Sequence, residues 1–322
     1  MLQVQSLLAT EQPIINKVLE SLTEELPPLT RPVARHVFQV GGKRLRPILT
    51  LLAGRMLGCN DDEALYRIGA AVEMLHGATL LHDDILDNAA LRRGKAAAHT
   101  IFSPAHVILA GDVMLAKALS IVAAYGDTRL TASLSRAVME TANGQIEETA
   151  NVRNLSLPYE AYLRIITGKT AWLLRTSCEM GAIYADGTDA QILAVANLGT
   201  ELGIAFQLVD DILDFSPPEI TGKPAGGDVL EGKMTPPIVF YLENLEGEPR
   251  HDFYEKCSTG GFTRDNVVPL CEAIQASGAL EKTKALAESH VQKALDLLVQ
   301  LPAGKENTLL GKMARYITVR SK

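Results

Sequence analysis

Two short runs of acid stand out because they are nearly the same run twice. Leu-His-Asp-Asp-Ile-Leu-Asp occupies 81 to 87, and Leu-Val-Asp-Asp-Ile-Leu-Asp occupies 208 to 214. Each sets carboxylates at i, i+1 and i+4 within an apolar stretch. On a helix of 3.6 residues per turn, Asp83 and Asp87 share one face, as do Asp210 and Asp214. Carboxylates taken out of water without compensation are costly, so acids in such settings call for a cation. Six aspartates, Asp83, Asp84, Asp87, Asp210, Asp211 and Asp214, come with no accompanying Cys or His set. That donor chemistry suits hard Mg²⁺, which takes one or two carboxylates and completes its shell with water and phosphate oxygens. The two clusters serve one site only if their helices pack together.

Cationic and polar segments bracket the acids along the chain. Gly41-Gly42-Lys43-Arg44-Leu45-Arg46-Pro47 combines flexible glycines with three cations, the materials for holding an anion through backbone and side chain. Alone, such a run reads as a solvated face. Arg92-Arg93-Gly94 begins five residues after Asp87; by itself it is a charged helix end. Gly168-Lys169-Thr170 offers an ammonium and a hydroxyl, but no strand and no upstream glycine complete a nucleotide-binding loop. A glycine-rich stretch from 221 to 233 carries Lys223 and Lys233. His76 stands two helical turns before Asp83, and Gln207 just before the second acids; singly, each reads as a hydrogen-bonded core group. Together, the acids and separate cations describe a site for two polyanionic substrates, one bridged by Mg²⁺ and one clamped by Lys and Arg.

The elements that must position these residues are helices. From 65 to 88, Ile68, Ala71, Met74, Leu75, Ala78 and Leu81 form one stripe, and similar periodicity predicts helices over 105–125, 129–149, 159–184, 188–215 and 279–299. Strand signals are poor, with 5% aromatics and no Asn-Gly hairpin. With 322 residues, 47% hydrophobic and 21% charged, the chain has ample material for a core. The expectation is an all-α fold, one domain over 1–322, built as a large helical bundle around a central cavity. A net charge of -7 argues against a nucleic-acid partner. Four scattered cysteines form no metal or disulfide pattern, which fits the cytoplasm. No uninterrupted apolar run approaches 18 residues, so no transmembrane segment is expected.

The order of these elements resembles that of the trans-isoprenyl diphosphate synthases, the polyprenyl synthetase family. The likeness is carried by GGKRLRP, the first acidic motif with its trailing Arg-Arg-Gly, Ala-Gly-Asp at 110 to 112, Gly-Lys-Thr, Phe-Gln-Leu-Val-Asp-Asp-Ile-Leu-Asp, and the later Gly-Lys, Gly-Gly-Asp and Gly-Lys. It spans nearly the whole chain and implies the isoprenoid synthase fold and a homodimer. It further implies that Lys43, Arg46, His76 and Arg93 hold isopentenyl diphosphate without metal. Asp83, Asp87 and Asp210 would ligate three Mg²⁺ ions, assisted by Asp84, Asp211 and Asp214. Arg92, Lys169, Lys223 and Lys233 would grip the allylic diphosphate, with Thr170 and Gln207 facing the reacting carbons. Lys169, Thr170 and Gln207 are thus the implied catalytic residues.

The implied chemistry is ionisation of the allylic carbon–oxygen bond, attack by the double bond of isopentenyl diphosphate, and proton loss with the released diphosphate as base. In this family the residues just before the first acidic motif limit product length. Here they are Ala78 and Thr79, small residues where short-chain members present an aromatic, unless a deeper side chain near Leu115 or Val138 closes the tunnel. The expected product is therefore longer than farnesyl, as in an octaprenyl diphosphate synthase. Alternatives are a short-chain farnesyl or geranylgeranyl synthase, a terpene cyclase acting on one diphosphate, and a non-catalytic subunit of a heteromeric synthase.

Overall fold

The structure, a computed structural model, describes residues 2–39, 41–217 and 225–319. Among the described residues the regular structure is helical apart from one short hairpin. It divides into two compact units: residues up to 139 with 173–199 and 297–312, and residues 140–172 with 200–296 and those from 313 onward.

In the first unit, α1 (Leu2–Glu24), α2 (Arg31–Gln39) and α3 (Leu45–Met56) lead into α4 (Asp62–Leu86). Nearly every turn of α4 is buried, including Leu65, Ile68, Val72, Met74, Leu75 and Leu81, as expected of a central helix with apolar residues all round. Asp61 caps its start by accepting from the Ala64 N–H at 3.1 Å. Backbone approach between α3 and α4 is close: a side chain at Gly69 would meet the Pro47 Cα at 2.7 Å. After α4 come a hairpin, β1 (Leu91–Arg92) and β2 (Lys95–Ala96), and the short α5 (Ala98–Ile101). This hairpin is absent from the sequence-based expectation. Its turn is Arg93-Gly94, with φ of 50° and 77°, the left-handed pair that tight two-residue turns require. Arg93 takes the position that Asn or Gly fills more easily, so the propensity signal is masked.

α6 (Pro104–Ala123) starts with Ser103 as cap and Pro104 in its first turn. It packs on α4. α7 (Thr128–Ala150) and α10 (Asp189–Asp214) each begin in the first unit and end in the second, while α9 (Trp172–Tyr184) lies in the first apart from Trp172. Thr188 and Gln191 box the start of α10: the Thr188 N–H donates to Gln191 Oε1 at 3.0 Å. α6 and α10 are long and apolar enough to span a membrane by length and composition alone, with mean hydropathies of 1.7 and 1.6.

The second unit holds α8 (Tyr159–Ile166), a π-helical turn (Thr167–Ala171), α11 (Gly227–Glu231), α12 (Pro236–Glu243), α13 (Gly247–Thr259), α14 (Arg264–Ala276) and most of α15 (Ala279–Leu298). α16 (Lys305–Val319) is divided, with 305–312 in the first unit and 313–319 in the second. The core of the second unit gathers Phe215, Ile238, Leu242, Phe253, Cys257, Val267 and Ile274. The polar α13 joins this core by turning Phe253 and Cys257 inward and its charges outward. All four cysteines are free thiols.

The six long predicted helical stretches all form. The 159–184 stretch is interrupted at Gly168-Lys169-Thr170, where the backbone widens to a π turn. Such turns concentrate at functional positions.

Candidate active site

In the first unit the site residues gather where α3 starts and α4 ends. Arg44, in the left-handed conformation at φ 50°, turns its guanidinium inward. There it pairs with Glu73 at 3.0 Å, both side chains 7% exposed, and donates to Asn16 Oδ1 and the Phe38 carbonyl. This pair is structural. The hairpin docks back on the glycines: the Arg93 guanidinium donates to the Gly41 carbonyl, and a Cβ on Gly42 would strike its Nη1 at 2.8 Å. Lys95 adds a bond to the Gln39 carbonyl at 3.0 Å. Thus GGKRLRP and Arg-Arg-Gly, far apart in sequence, are brought together. His76 on α4 lies within their field: burial, then Arg46, Arg93, Arg92 and Arg44, hold its imidazole well below the usual histidine range.

The first acidic run closes α4. Asp83 is half-buried, Asp84 is buried, and Asp87 is the C-cap with φ -83°. Negative charge at a helix C-terminus opposes the backbone dipole, so this placement calls for cations. Arg92 supplies one: its Nε donates to Asp84 Oδ1 at 2.7 Å, with Nη2 on the same oxygen. Ala78, fully buried, and Thr79, half-buried and bonded to the His76 carbonyl at 2.9 Å, sit about one turn earlier on α4.

In the second unit three segments close on one another through missing side chains. A Cβ on Gly144 of α7 would meet the Lys169 N at 2.4 Å, one on Gly168 the Glu140 carbonyl at 2.8 Å, and one on Gly203 of α10 the Ala171 Cα at 2.3 Å. The π turn is therefore held between α7 and α10 at backbone contact. That proximity builds a polar chain: Thr170 Oγ1 donates to Gln207 Oε1 at 2.7 Å, and Gln207 Nε2 donates to Asp211 Oδ1 at 2.9 Å. The Tyr162 hydroxyl donates to the other Asp211 oxygen. Asp214 accepts from the backbone N–H of Gly227 at 3.1 Å and of Asp228 at 2.9 Å. A cavity of about 120 Å³ opens among these groups, lined by Lys169, Thr170, Gln207, Asp211, Asp228 and Lys233 among others.

The electrostatics of this cavity are those of crowded acid. Burial pushes the Asp211 carboxyl up to about 7; hydrogen bonds from Tyr162 and Gln207 work against the rise, and the charges of Asp210 and Asp214 add to it. Burial raises Asp214 as well, and Asp228 rises well above the carboxylate range through burial and the charges of Asp214 and Asp211. Asp228 Oδ2 is buried with no hydrogen-bond partner. Acids in this state favour a nearby cation, and an all-oxygen set suits a hard divalent one. Among the described residues no three His, Cys, Asp or Glu side chains are gathered closely enough to hold a metal unaided.

Sequence reasoning named most of these residues, but Lys223 lies outside the described residues. It missed three. Asp228 ends the Gly-Gly-Asp motif quoted above, so its signal was present. Tyr162 stands on α8, two turns before Lys169. Glu148, at the end of α7, accepts from Lys169 and lies 3.9 Å from Lys233. Its position 21 residues before Lys169, on a different helix, leaves no spacing to read.

A helical scaffold with paired aspartate motifs and separate cationic groups defines the isoprenoid synthase class. Comparison with known proteins agrees. The Polyprenyl synthetase family model matches residues 27–273. Heptaprenyl diphosphate synthase component 2 of Bacillus subtilis (strain 168) is 36% identical over 309 residues, which cover 95% of this chain and 87% of that protein. Octaprenyl diphosphate synthase of Escherichia coli (strain K12) is 34% identical over 287 residues, 88% of each chain. A polyprenyl synthase from Caulobacter crescentus CB15, solved with calcium and isoprenyl diphosphate, matches with a TM-score of 0.92 at 34% identity, covering 99% of this chain and 98% of that one. The chain belongs to the polyprenyl synthetase family and is a trans-prenyltransferase.

Proposed function

We propose that this enzyme condenses isopentenyl diphosphate head-to-tail with an allylic diphosphate, in repeated cycles, to an all-trans polyprenyl diphosphate longer than C15. One observation carries the reading. Each acidic motif ends a long helix beside its own cations or polar partners, Arg92 on Asp84 in one unit and the Thr170-Gln207-Asp211 chain in the other.

Asp83, Asp84, Asp87, Asp210, Asp211 and Asp214 are the residues that would hold Mg²⁺, three ions in all, and the whole chain acts as one catalytic domain. When bound, Mg²⁺ supplies neutralisation of charge on the departing diphosphate. The remaining work falls to the protein. Lys169 and Lys233, with Arg92 and Lys223, bind the allylic diphosphate and favour its departure by meeting the charge it gains. Thr170 and Gln207 present oxygen atoms near the ionising carbon, and their mutual hydrogen bond keeps those dipoles oriented. Lys43, Arg46, His76 and Arg93 hold isopentenyl diphosphate by charge and, through the neutral His76, by a hydrogen bond. The released diphosphate takes the final proton. Packing around the reacting carbons must exclude water, which would quench the cation.

Ala78, one turn before the first motif, is small where short-chain members of the family present an aromatic, which supports a longer product. The heptaprenyl and octaprenyl enzymes named above support the same length class. A homodimer without a membrane span, working in the cytoplasm, completes the reading. Ile108 and Leu109 of α6, 41% and 63% exposed, support a second copy covering that helix.

Incubating the purified chain with Mg²⁺, isopentenyl diphosphate and farnesyl diphosphate, and sizing the product by chromatography, tests this reading. Products beyond C15 are expected. A cyclic hydrocarbon from farnesyl diphosphate alone, or an inert chain, would overturn it.

A further inference from the structure

The two lysines assigned to the allylic diphosphate share a carboxylate that the reaction does not call for. Glu148 sits in the last turn of α7. Its Oε2 accepts from Lys169 Nζ and lies 3.9 Å from Lys233 Nζ. All three side chains are largely withdrawn from solvent, with exposures of 17% for Glu148, 20% for Lys169 and 21% for Lys233. The more exposed Glu231 also pairs with Lys233, at 2.6 Å.

Two ammonium groups brought together in a partly dry cavity repel each other and lose hydration. Glu148 answers both costs at once. Burial alone would lower the Lys233 ammonium, but Glu148 first and Glu231 next hold it well above the usual lysine range. The site is a poor one for a lone carboxylate, because the α7 C-terminus presents backbone carbonyls and its last turn carries no basic residue. Glu148 is therefore bound chiefly by the two lysines. A diphosphate oxygen offers them more charge and more acceptor positions than one carboxylate.

Given the assignment of Lys169 and Lys233 to the allylic diphosphate, we propose that Glu148 is a positioning residue acting as a displaceable anion. It holds the two ammonium groups side by side, 3.9 Å or less from its Oε2, and yields them to the diphosphate. Preordering the lysines in this way reduces the rotamer entropy lost on binding. The exchange also sets a ceiling on diphosphate affinity, which speeds release of the product diphosphate.

The test is calorimetric titration of the whole chain with inorganic diphosphate in Mg²⁺ at low salt, comparing wild type with Glu148→Gln. Glutamine keeps the shape and removes the competing charge, so diphosphate should bind about fivefold tighter. In turnover the allylic KM should fall together with kcat as diphosphate release slows. Glu147→Gln makes the same change in net charge one residue away, where Glu147 pairs with Arg164 rather than the lysines. It should move Kd by less than about twofold. In a Lys169→Met background the gain from Glu148→Gln should shrink, the coupling expected of direct competition. Unchanged or weaker binding in a Glu148→Gln protein that melts like wild type would overturn the proposal. Should that variant fail to fold, Glu148→Asp takes its place, because a shorter carboxylate loosens the pair; tighter binding supports the proposal, and unchanged or weaker binding overturns it. Wild type that binds neither diphosphate nor substrate would instead count against the functional assignment.

Discussion

At the scale of single residues, the acids and their partners separate into those that build the protein and those available for chemistry. Asp83 is half-buried near the end of α4 and adds little to core packing. Asp83→Ala should reduce turnover to background while the melting curve stays within a few degrees of wild type, as circular dichroism would show. Arg44 and Glu73 are the opposite case. Removing one partner of a buried ion pair strands the other, so Glu73→Leu should cost about 3–5 kcal/mol in urea unfolding. His76 gives a pH signature. Burial holds its folded-state pKa well below the ordinary histidine value of 6.5, which the unfolded chain keeps, so the unfolded chain takes up a proton that the folded protein resists. The His76 contribution is fully present above that value and is lost as pH falls below it, with a slope of at most about 1.4 kcal/mol per pH unit. The difference in stability between wild type and His76→Asn, measured from pH 7.5 to 5, should show that slope; a flat difference would contradict the burial argument.

Among the elements, the glycines that let α7, the π turn and α10 touch are as necessary as the polar residues they position. Gly203→Ala drives a methyl into the Ala171 backbone, where no flexible side chain can give way. It should lower stability by about 1–3 kcal/mol and lower activity further, by moving Thr170 away from Gln207. Matched unfolding curves and rates would show both. Ala78→Phe puts a bulky ring one turn before the first acidic motif and should shorten the product without preventing condensation; an unchanged product length would remove the chain-length argument. The helices and both acidic motifs were legible in the sequence because periodicity and spacing are local. The Arg93-Gly94 hairpin was not, since an arginine at positive φ gives no turn signal. Nor were Glu148 and Tyr162, whose roles arise only when helices distant in sequence meet. Asp228 was readable in its motif and passed over.

For the molecule as a whole, net charge of -7 and a concentrated set of carboxylates explain why anionic substrates need local cations. The crowded acids around Asp211, Asp214 and Asp228 destabilise the fold until they are neutralised. Mg²⁺ with inorganic diphosphate should therefore raise the melting temperature more than either alone, an outcome differential scanning fluorimetry would register. The proposed reaction joins two diphosphates on one chain, through metal-neutralised acid and separate cations. Its most direct test is the rate of diphosphate release with farnesyl diphosphate alone, isopentenyl diphosphate alone, and both together, each with Mg²⁺ and with excess chelator. Release that requires both substrates and Mg²⁺ is predicted; release from farnesyl diphosphate alone at the same rate, or release indifferent to chelator, would contradict it.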